Sequence, residues 1–392
     1  MWASAMTSDL TRRRFLATSA VGGVVGTAGC SSPVSELTEQ SEWPPNVGDP
    51  AVVNNSSNST DVVDVRGAIY IPSRAYNIYQ MWQYYEPEII ERDLTYATQV
   101  NLNAIRTWVS YEAWQRDPDA HEQALDHFLQ AADDRDLSVL LGLFDAVGSY
   151  PTEERLEDTD PASATGLSSP PKEVLLNRQL WDGPRRFVRW FMDNYRDDDR
   201  LLGIEAMNEP GWMASKTAFA REMFATLVEQ KGRVPLTVGS TSLANNAEYE
   251  QWGNEILQFH YNFVNNQSTY RTMLQRVNHL REAVETPVWL TEWQRTRHGR
   301  GFAAEPTPSE QTPNYASLAP LIRDVGIGNF FWSLMVKPAW VQPQRKNGVI
   351  NGLFHEDGAV WSREDARAIK AMSGDASFDG EERSEWPEWA EA

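Results

Sequence analysis

A chain of 392 residues, 41% hydrophobic and 11% aromatic, supports an ample apolar core, and since about 250 residues suffice for one α/β barrel its length does not require two domains. Its 55 acidic residues against 35 basic ones leave a net charge of −20, so a polyanion would be repelled over most of the surface and nucleic acid is not an expected partner. The single cysteine, Cys30, rules out an internal disulfide and a cysteine metal cluster.

At the N-terminus, Arg12, Arg13 and Arg14 are followed by Phe15, Leu16, a short apolar run and small residues up to Cys30. The stretch is too short and too rich in Gly and Ala to span a bilayer. It resembles a twin-arginine export signal ending in a lipobox, which implies that residues 1–30 are a leader, that Cys30 is lipidated, and that the protein is extracellular and anchored to the membrane by lipid alone. Only six of the basic residues are Lys; an acidic composition that prefers Arg resembles that of proteins from salt-loving archaea, where high ionic strength screens self-repulsion. Residues 31–62, with Pro44, Pro45 and the run NNSSNSTD, cannot bury enough apolar surface to order themselves and read as a tether. Asn54, Asn55, Asn58 and Asn266 each begin an N-x-S/T pattern, a weak signal for glycosylation.

From Asp64, apolar runs of four to eight residues alternate with amphipathic stretches. Strands are expected at VRGAIYI from Val65, AIRTWV from Ala104, LSVLLGLF from Leu137, LLGIEAM from Leu201, PLTVGS from Pro235, EILQFHY from Glu255, PVWLT from Pro287 and GNFFWSL from Gly328. Between them lie helical patterns from Pro87, from Ala120 and from Ser215, the last closing on Gly232 as an expected C-cap. Eight βα units without a glycine-rich dinucleotide fingerprint after the first strand favour a single closed (β/α)8 barrel, an α/β fold, over residues 63–375. Long connections at 145–174, 294–314 and 335–360 are expected to wall a groove, and the acidic segment 376–392 to fray.

Two of these strands run straight into a glutamate, Glu209 and Glu292. Cleaving a glycosidic bond takes an acid to protonate the leaving oxygen and a second carboxylate to meet positive charge at the anomeric carbon. In a parallel barrel the ends of the fourth and seventh strands face across the mouth, which suits that pair. The six histidines are scattered without HExxH or paired spacing, so no metal site is expected, and no GxSxG elbow is present for serine chemistry.

With Asn208-Glu209-Pro210 closing the fourth strand and Thr291-Glu292-Trp293 the seventh, about 300 of the 392 residues resemble clan A glycoside hydrolases, most of all family 5, the cellulase and β-mannanase family. The resemblance implies that Glu209 is the acid/base, Glu292 the nucleophile, Asn208 the holder of the substrate 2-hydroxyl, Arg106 the cation that keeps the nucleophile ionised, and Trp332 the floor of the sugar subsite. It places a His and a Tyr, one residue apart, against the two glutamates; here His260 and Tyr261 are adjacent, so either the strand has ended by Tyr261 or only one of them serves. Trp82, Trp108, Trp114, Trp212, Trp293 and Trp340 follow strand ends and are candidate sugar platforms. The segment GLFHEDGAV from Gly352 is similar to a hairpin that follows the eighth strand in the clan. Where family 5 commonly has a histidine at the end of the third strand, this chain has Phe144 and Asp145. The expectation is a monomeric retaining β-glycoside hydrolase acting without a cofactor on β-1,4-linked mannan or glucan; the alternatives are a transglycosylase, or a carbohydrate-binding lipoprotein that hydrolyses nothing.

Overall fold

The computed structural model describes residues 62–262, 266–295, 301–302 and 314–390. Cys30, the leader, nearly all of the tether, and Asn54, Asn55 and Asn58 lie outside the described residues. Among the described residues no helix is long and apolar enough to cross a membrane.

All eight expected strands form, each starting within two residues of its expected position: β1 (Arg66–Ile69), β2 (Ala104–Trp108), β3 (Ser138–Gly142), β4 (Leu201–Glu205), β5 (Leu236–Thr237), β6 (Leu257–Tyr261), β7 (Val288–Trp293) and β8 (Asn329–Trp332). They pair in parallel in the order β5-β4-β3-β2-β1-β8-β7-β6. A single parallel bridge, Thr237 to Ile256, joins β5 to the start of β6 and brings the ring round to a (β/α)8 barrel. Helices α1 (Pro87–Gln99), α2 (Pro118–Asp133), α3 (Asp182–Tyr195), α4 (Ala214–Glu229), α5 (Asn246–Tyr249), α6 (Gln267–Ala283), α7 (Ala319–Val325) and α8 (Arg363–Lys370) follow the eight strands in turn.

The helices seat as their patterns require. In α3, Phe187, Val188, Phe191, Met192 and Tyr195 recur at three- and four-residue spacing, so one face is buried on the sheet. Each such side chain withdrawn from water contributes roughly 1.5–3 kcal/mol. Asn266, read as a glycosylation pattern, caps α6: its side chain accepts from the Thr269 amide at 2.9 Å. The expected cap at Gly232 is not the one used. Helix α4 ends at Glu229 with Gln230 as its cap, and Gly232 lies two residues further on, where a Cβ would stand 2.4 Å from the Arg196 carbonyl oxygen.

The acidic C-terminal segment also differs from expectation, because its aromatic residues outweigh its charge. Residue 382 bridges to Val360, Arg383 pairs with Asp357, and Trp386 packs on Val336, Ile350 and Trp361. Phe354 and Val360 pair antiparallel around Gly358 (φ +88°), which forms the expected hairpin after β8. Short strands β9 (Lys337–Pro338) and β10 (Ile350–Asn351) precede it.

Candidate active site

The mouth of the barrel is organised around one buried cation. In β2, Arg106 and Trp108 are two residues apart and share a face, and the guanidinium lies 4.6 Å from the Trp108 ring. Room for that indole comes from Gly142 on the neighbouring strand, where a Cβ would stand 2.1 Å from the ring. Arg106 is fully buried and donates to the Glu205 carboxylate through Nε (3.1 Å) and Nη2 (2.9 Å), to Asn208 Oδ1 (2.8 Å), to the Thr291 carbonyl (3.3 Å) and to Glu292 Oε2 (3.4 Å). Removing such a cation from water is tolerable only because its donors are met by carboxylates and carbonyls.

Asn208 is thereby fixed at both ends of its amide. Its oxygen takes the Arg106 bond and its nitrogen donates to Asp145 Oδ1 at 2.9 Å. Asp145 also accepts from the Val147 amide at 2.7 Å, and burial pushes its carboxyl up to about 8 against the pull of those bonds. Asp145, at the position where the sequence resemblance would place a histidine, therefore anchors the asparagine beside Glu209. Lys216, from α4, reaches the carbonyl of Ala146 in the same loop.

Glu209 follows in the left-handed region, φ +49° and ψ +46°, its amide bonded to the Gly239 carbonyl at 3.0 Å. A non-glycine residue held there costs on the order of 1–3 kcal/mol. His260 at the end of β6 bonds Glu209 Oε1 through Nδ1 at 2.6 Å, and the same nitrogen lies 3.8 Å from Glu292 Oε2. One oxygen of each glutamate and a ring nitrogen of His260 all lie within 4.8 Å of one another. Glu292 Oε1 accepts from Asn262 Nδ2 at 2.7 Å. Burial raises the Glu292 carboxyl above the usual range, while His260, Arg106 and Asn262 pull it down and the Glu209 charge adds to the rise. These three groups have the donor atoms to ligate a metal ion, and each is engaged in the hydrogen-bond network, Glu209 with His260 and Glu292 with Asn262.

A cavity of about 570 Å³ opens over this cluster, reached by Glu209, Glu292, Asn208, Asp145 and His260. Trp332, 8% exposed, forms one side and meets Trp340 edge-on at 5.7 Å. Trp340 comes from the long connection after β8, and Gly166, in the connection after β3, gives it room: a Cβ there would stand 2.0 Å from its ring.

Several expectations are corrected. His260 meets Glu209, but the partner of Glu292 is Asn262, so the spacing is His-x-Asn; Tyr261 borders the cavity with its ring stacked on Tyr270 at 5.1 Å, and none of the described hydrogen bonds joins it to a glutamate. Of the candidate platforms, Trp82 is stacked between Tyr85 and His121 and donates to the Trp108 carbonyl at 2.7 Å, away from the cavity. Trp293 is fully buried, bonded to Asn329 and packed on Tyr315 and Phe331. Trp114 sits among Tyr111, Phe187 and Trp190. Trp108 and Trp340 do border the cavity; the side chain of Trp212 lies outside the described residues. The sequence reading missed Glu205 and Asn262. A lone acidic residue within the apolar run LLGIEAM was the signal for Glu205.

No protein-family model matches the chain, and comparison with curated proteins finds no match. Among solved structures it is similar to an exo-β-1,4-mannosidase from Opitutaceae bacterium strain TAV5, at 18% identity over 80% of this chain and 59% of that one, TM-score 0.57. It is also similar to GH5_18 from Streptomyces cattleya, solved with GlcNAc, at 13% identity over 81% and 82%, TM-score 0.52. A third is an endo-β-1,4-mannanase from Thermotoga petrophila, at 12% identity over 81% and 77%, TM-score 0.50. The chain spans about three-fifths of the length of the mannosidase. At these identities the likeness establishes the (β/α)8 barrel fold that the three share with this chain.

Proposed function

We propose that the protein is a retaining β-glycoside hydrolase, and that a single observation carries the reading: carboxylate oxygens of Glu209 and Glu292 stand within 4.8 Å across the barrel mouth. Retaining enzymes hold their carboxyls about 5–5.5 Å apart, while inverting ones leave roughly 6.5–9.5 Å for a water. In this reading Glu292 attacks the anomeric carbon, with Arg106 and Asn262 holding its charge, and Glu209 gives the leaving oxygen a proton. Water, deprotonated by Glu209, then releases the sugar. Trp332 offers an apolar face to the sugar C–H groups. The substrate we infer is a β-1,4-linked mannan or glucan; two of the barrel neighbours are named for β-1,4-mannan-type activity, an exo-β-1,4-mannosidase and an endo-β-1,4-mannanase. Family 5 of the glycoside hydrolases is the proposed affiliation. Export by the twin-arginine route, a lipid anchor on Cys30 and a saline habitat belong to the same proposal and rest on the sequence.

The test is hydrolysis of an activated aryl glycoside and a polysaccharide panel at several salt concentrations. Glu292→Gln and Glu209→Gln should each abolish most activity, and azide should restore turnover to Glu292→Ala with an inverted glycosyl azide as product. Full activity in either Gln variant removes that residue from its role. Failure of the unaltered protein to release sugar favours the binding lipoprotein, and sugar transfer in place of hydrolysis favours the transglycosylase.

A further inference from the structure

We infer that the protein attacks chain ends, removing one sugar at a time from the non-reducing terminus. The connections after β1, β3 and β8 are tied into a wall that closes the mouth on the side where a longer glycone would run. This rests on the glycosidase reading and adds to it the mode of attack.

Three sets of contacts make the wall. The Gly166 amide bonds the Trp340 carbonyl at 3.4 Å, and the Trp340 ring lies so close to Gly166 that a Cβ there would stand 2.0 Å away. No gap is left between the two connections at that point. Arg345, on the short helix Gln342–Lys346, donates to the carbonyl of Ala164 and, at 3.4 Å, to that of Pro161, both in the connection after β3. The same guanidinium lies 5.0 Å from the ring of Tyr76 in the connection after β1. Lys337, in β9, is buried, and its ammonium donates to the carbonyls of Ala75 at 2.6 Å and Pro72 at 3.1 Å. Charge-assisted bonds of this kind are costly to break when a cation is buried, so the three connections hold as one unit.

The place of the wall follows from the strand order. β1 and β2 lie between β8 and β3, so a link from the connection after β8 to that after β3 passes over their ends. Ile71, Gly148 and Trp340, one from each connection, border the cavity that Glu209 and Glu292 reach. Glu209 protonates the leaving oxygen, so the leaving group extends over the ends of β4 and β5. The glycone then lies on the other side of Glu209, against Trp332 at the end of β8. Trp340 meets Trp332 edge-on at 5.7 Å, so the wall rises directly beside the ring on which that sugar rests. A further sugar on its 4-hydroxyl would have to occupy the space the wall fills. The cavity of about 570 Å³ also matches pockets that enclose a small ligand, about 300–1,000 Å³.

The experiment uses the full chain and aryl β-glycosides of mannose and glucose, each as the monoside and as the bioside extended by one β-1,4-linked sugar at the 4-hydroxyl. Products are separated by size, and melting curves are recorded for each variant. The parent should free the aryl group from the monoside and release an intact disaccharide from the bioside about 100-fold more slowly, since the second sugar meets the wall. The β-1,4-linked hexaoses should shorten by one sugar per turnover from the non-reducing end. Arg345→Ala loosens the tie between the connections after β3 and β8. It should narrow the monoside-to-bioside ratio roughly 10-fold and leave the monoside rate within about two-fold of the parent. The inference is overturned if the parent releases intact disaccharide at about the monoside rate or cuts the hexaoses internally, and neither result depends on a variant. It is also overturned if Arg345→Ala melts as the parent does and keeps the parent's ratio. If the parent cuts monoside and bioside alike and Glu292→Gln abolishes both activities, this inference fails and the glycosidase reading stands. If the parent hydrolyses no glycoside, the glycosidase reading falls and takes this inference with it.

Discussion

Arg106→Met would test the centre of the site most directly. The substitution fills a similar volume but leaves the Glu205 carboxylate, 0% exposed, without the three charge-assisted bonds at 2.9, 3.0 and 3.1 Å that satisfy it. Breaking a buried pair from one side costs about 3–5 kcal/mol. At roughly 2 °C per kcal/mol for a large domain, the melting temperature should fall by about 6–10 °C. The second expected effect is kinetic. Arg106 is one of the groups that pull the Glu292 carboxyl down, so its loss should raise that pKa and shift the acid limb of the activity profile to higher pH, with kcat/KM reduced about 100-fold or more on an aryl glycoside. Adding Glu205→Leu separates the two. The double variant buries no orphan charge and should regain most of the melting temperature, while activity stays low because Glu292 and Asn208 still lack their cation. A single variant that melts within 2 °C of the parent, or a double variant that regains activity, would refute the assignment of Arg106.

Asp145 carries a pH prediction. Its folded carboxyl is raised from 3.8 to about 8, so the folded state keeps a proton that the unfolded chain releases, and stability from this residue is full below pH 4 and lost as pH rises towards 8. Asn at this position retains the acceptor for Val147 and Asn208 without the charge. The melting temperature of Asp145→Asn, relative to the parent, should therefore improve between pH 5 and pH 8; a constant difference would contradict the burial account. Gly166→Ala would push a methyl into the Trp340 ring, so KM should rise several-fold with kcat nearly constant, and an unchanged KM would remove Trp340 from the sugar contact. Truncation after Asp375 uncovers Val336, Ile350 and Trp361 and breaks the Arg383–Asp357 pair; a loss of about 2–4 kcal/mol is expected from the apolar exposure, read by thermal melting, and no loss would mean the segment is merely laid on the surface.

What could be read from sequence was whatever a local pattern determines. Apolar runs bounded by turns gave all eight strands, and a glutamate at the end of two of them needed no knowledge of neighbours. The tryptophans were harder because a position near a strand end does not say which side the ring takes. Alternation already held part of the answer: Trp108 shares parity with Arg106 and faces the mouth, whereas Trp293, next to Glu292, is buried against Tyr315 and Phe331. Trp82 lies on a short helix, where strand parity says nothing, and only tertiary packing against Tyr85 and His121 places it. The tail was misread because net charge was weighed above its aromatic residues: Trp386 finds an apolar cluster, and Trp389 the Tyr76 ring, that no local pattern reveals.

The choice between His260 and Tyr261 could not be settled from β6, because it depends on its neighbour. Consecutive residues Phe259 and His260 stand opposite Leu290 and Glu292, so Thr291 is an extra residue in β7. The same irregularity shows on the other side, where the pairing with β8 slips between Leu290 and Trp293. In an unbroken register His260 would face Thr291, and Glu292 would stand level with Tyr261. A single inserted residue shifts every later position by one, which in a strand means a change of face. Here it sets Glu292 level with His260 and hence close to Glu209, while the displaced Thr291 turns its carbonyl to Arg106 at 3.3 Å. The short carboxylate separation on which the proposed retaining mechanism rests is thus tied to one bulge, and the imidazole that bonds Glu209 is selected by a residue on the adjacent strand.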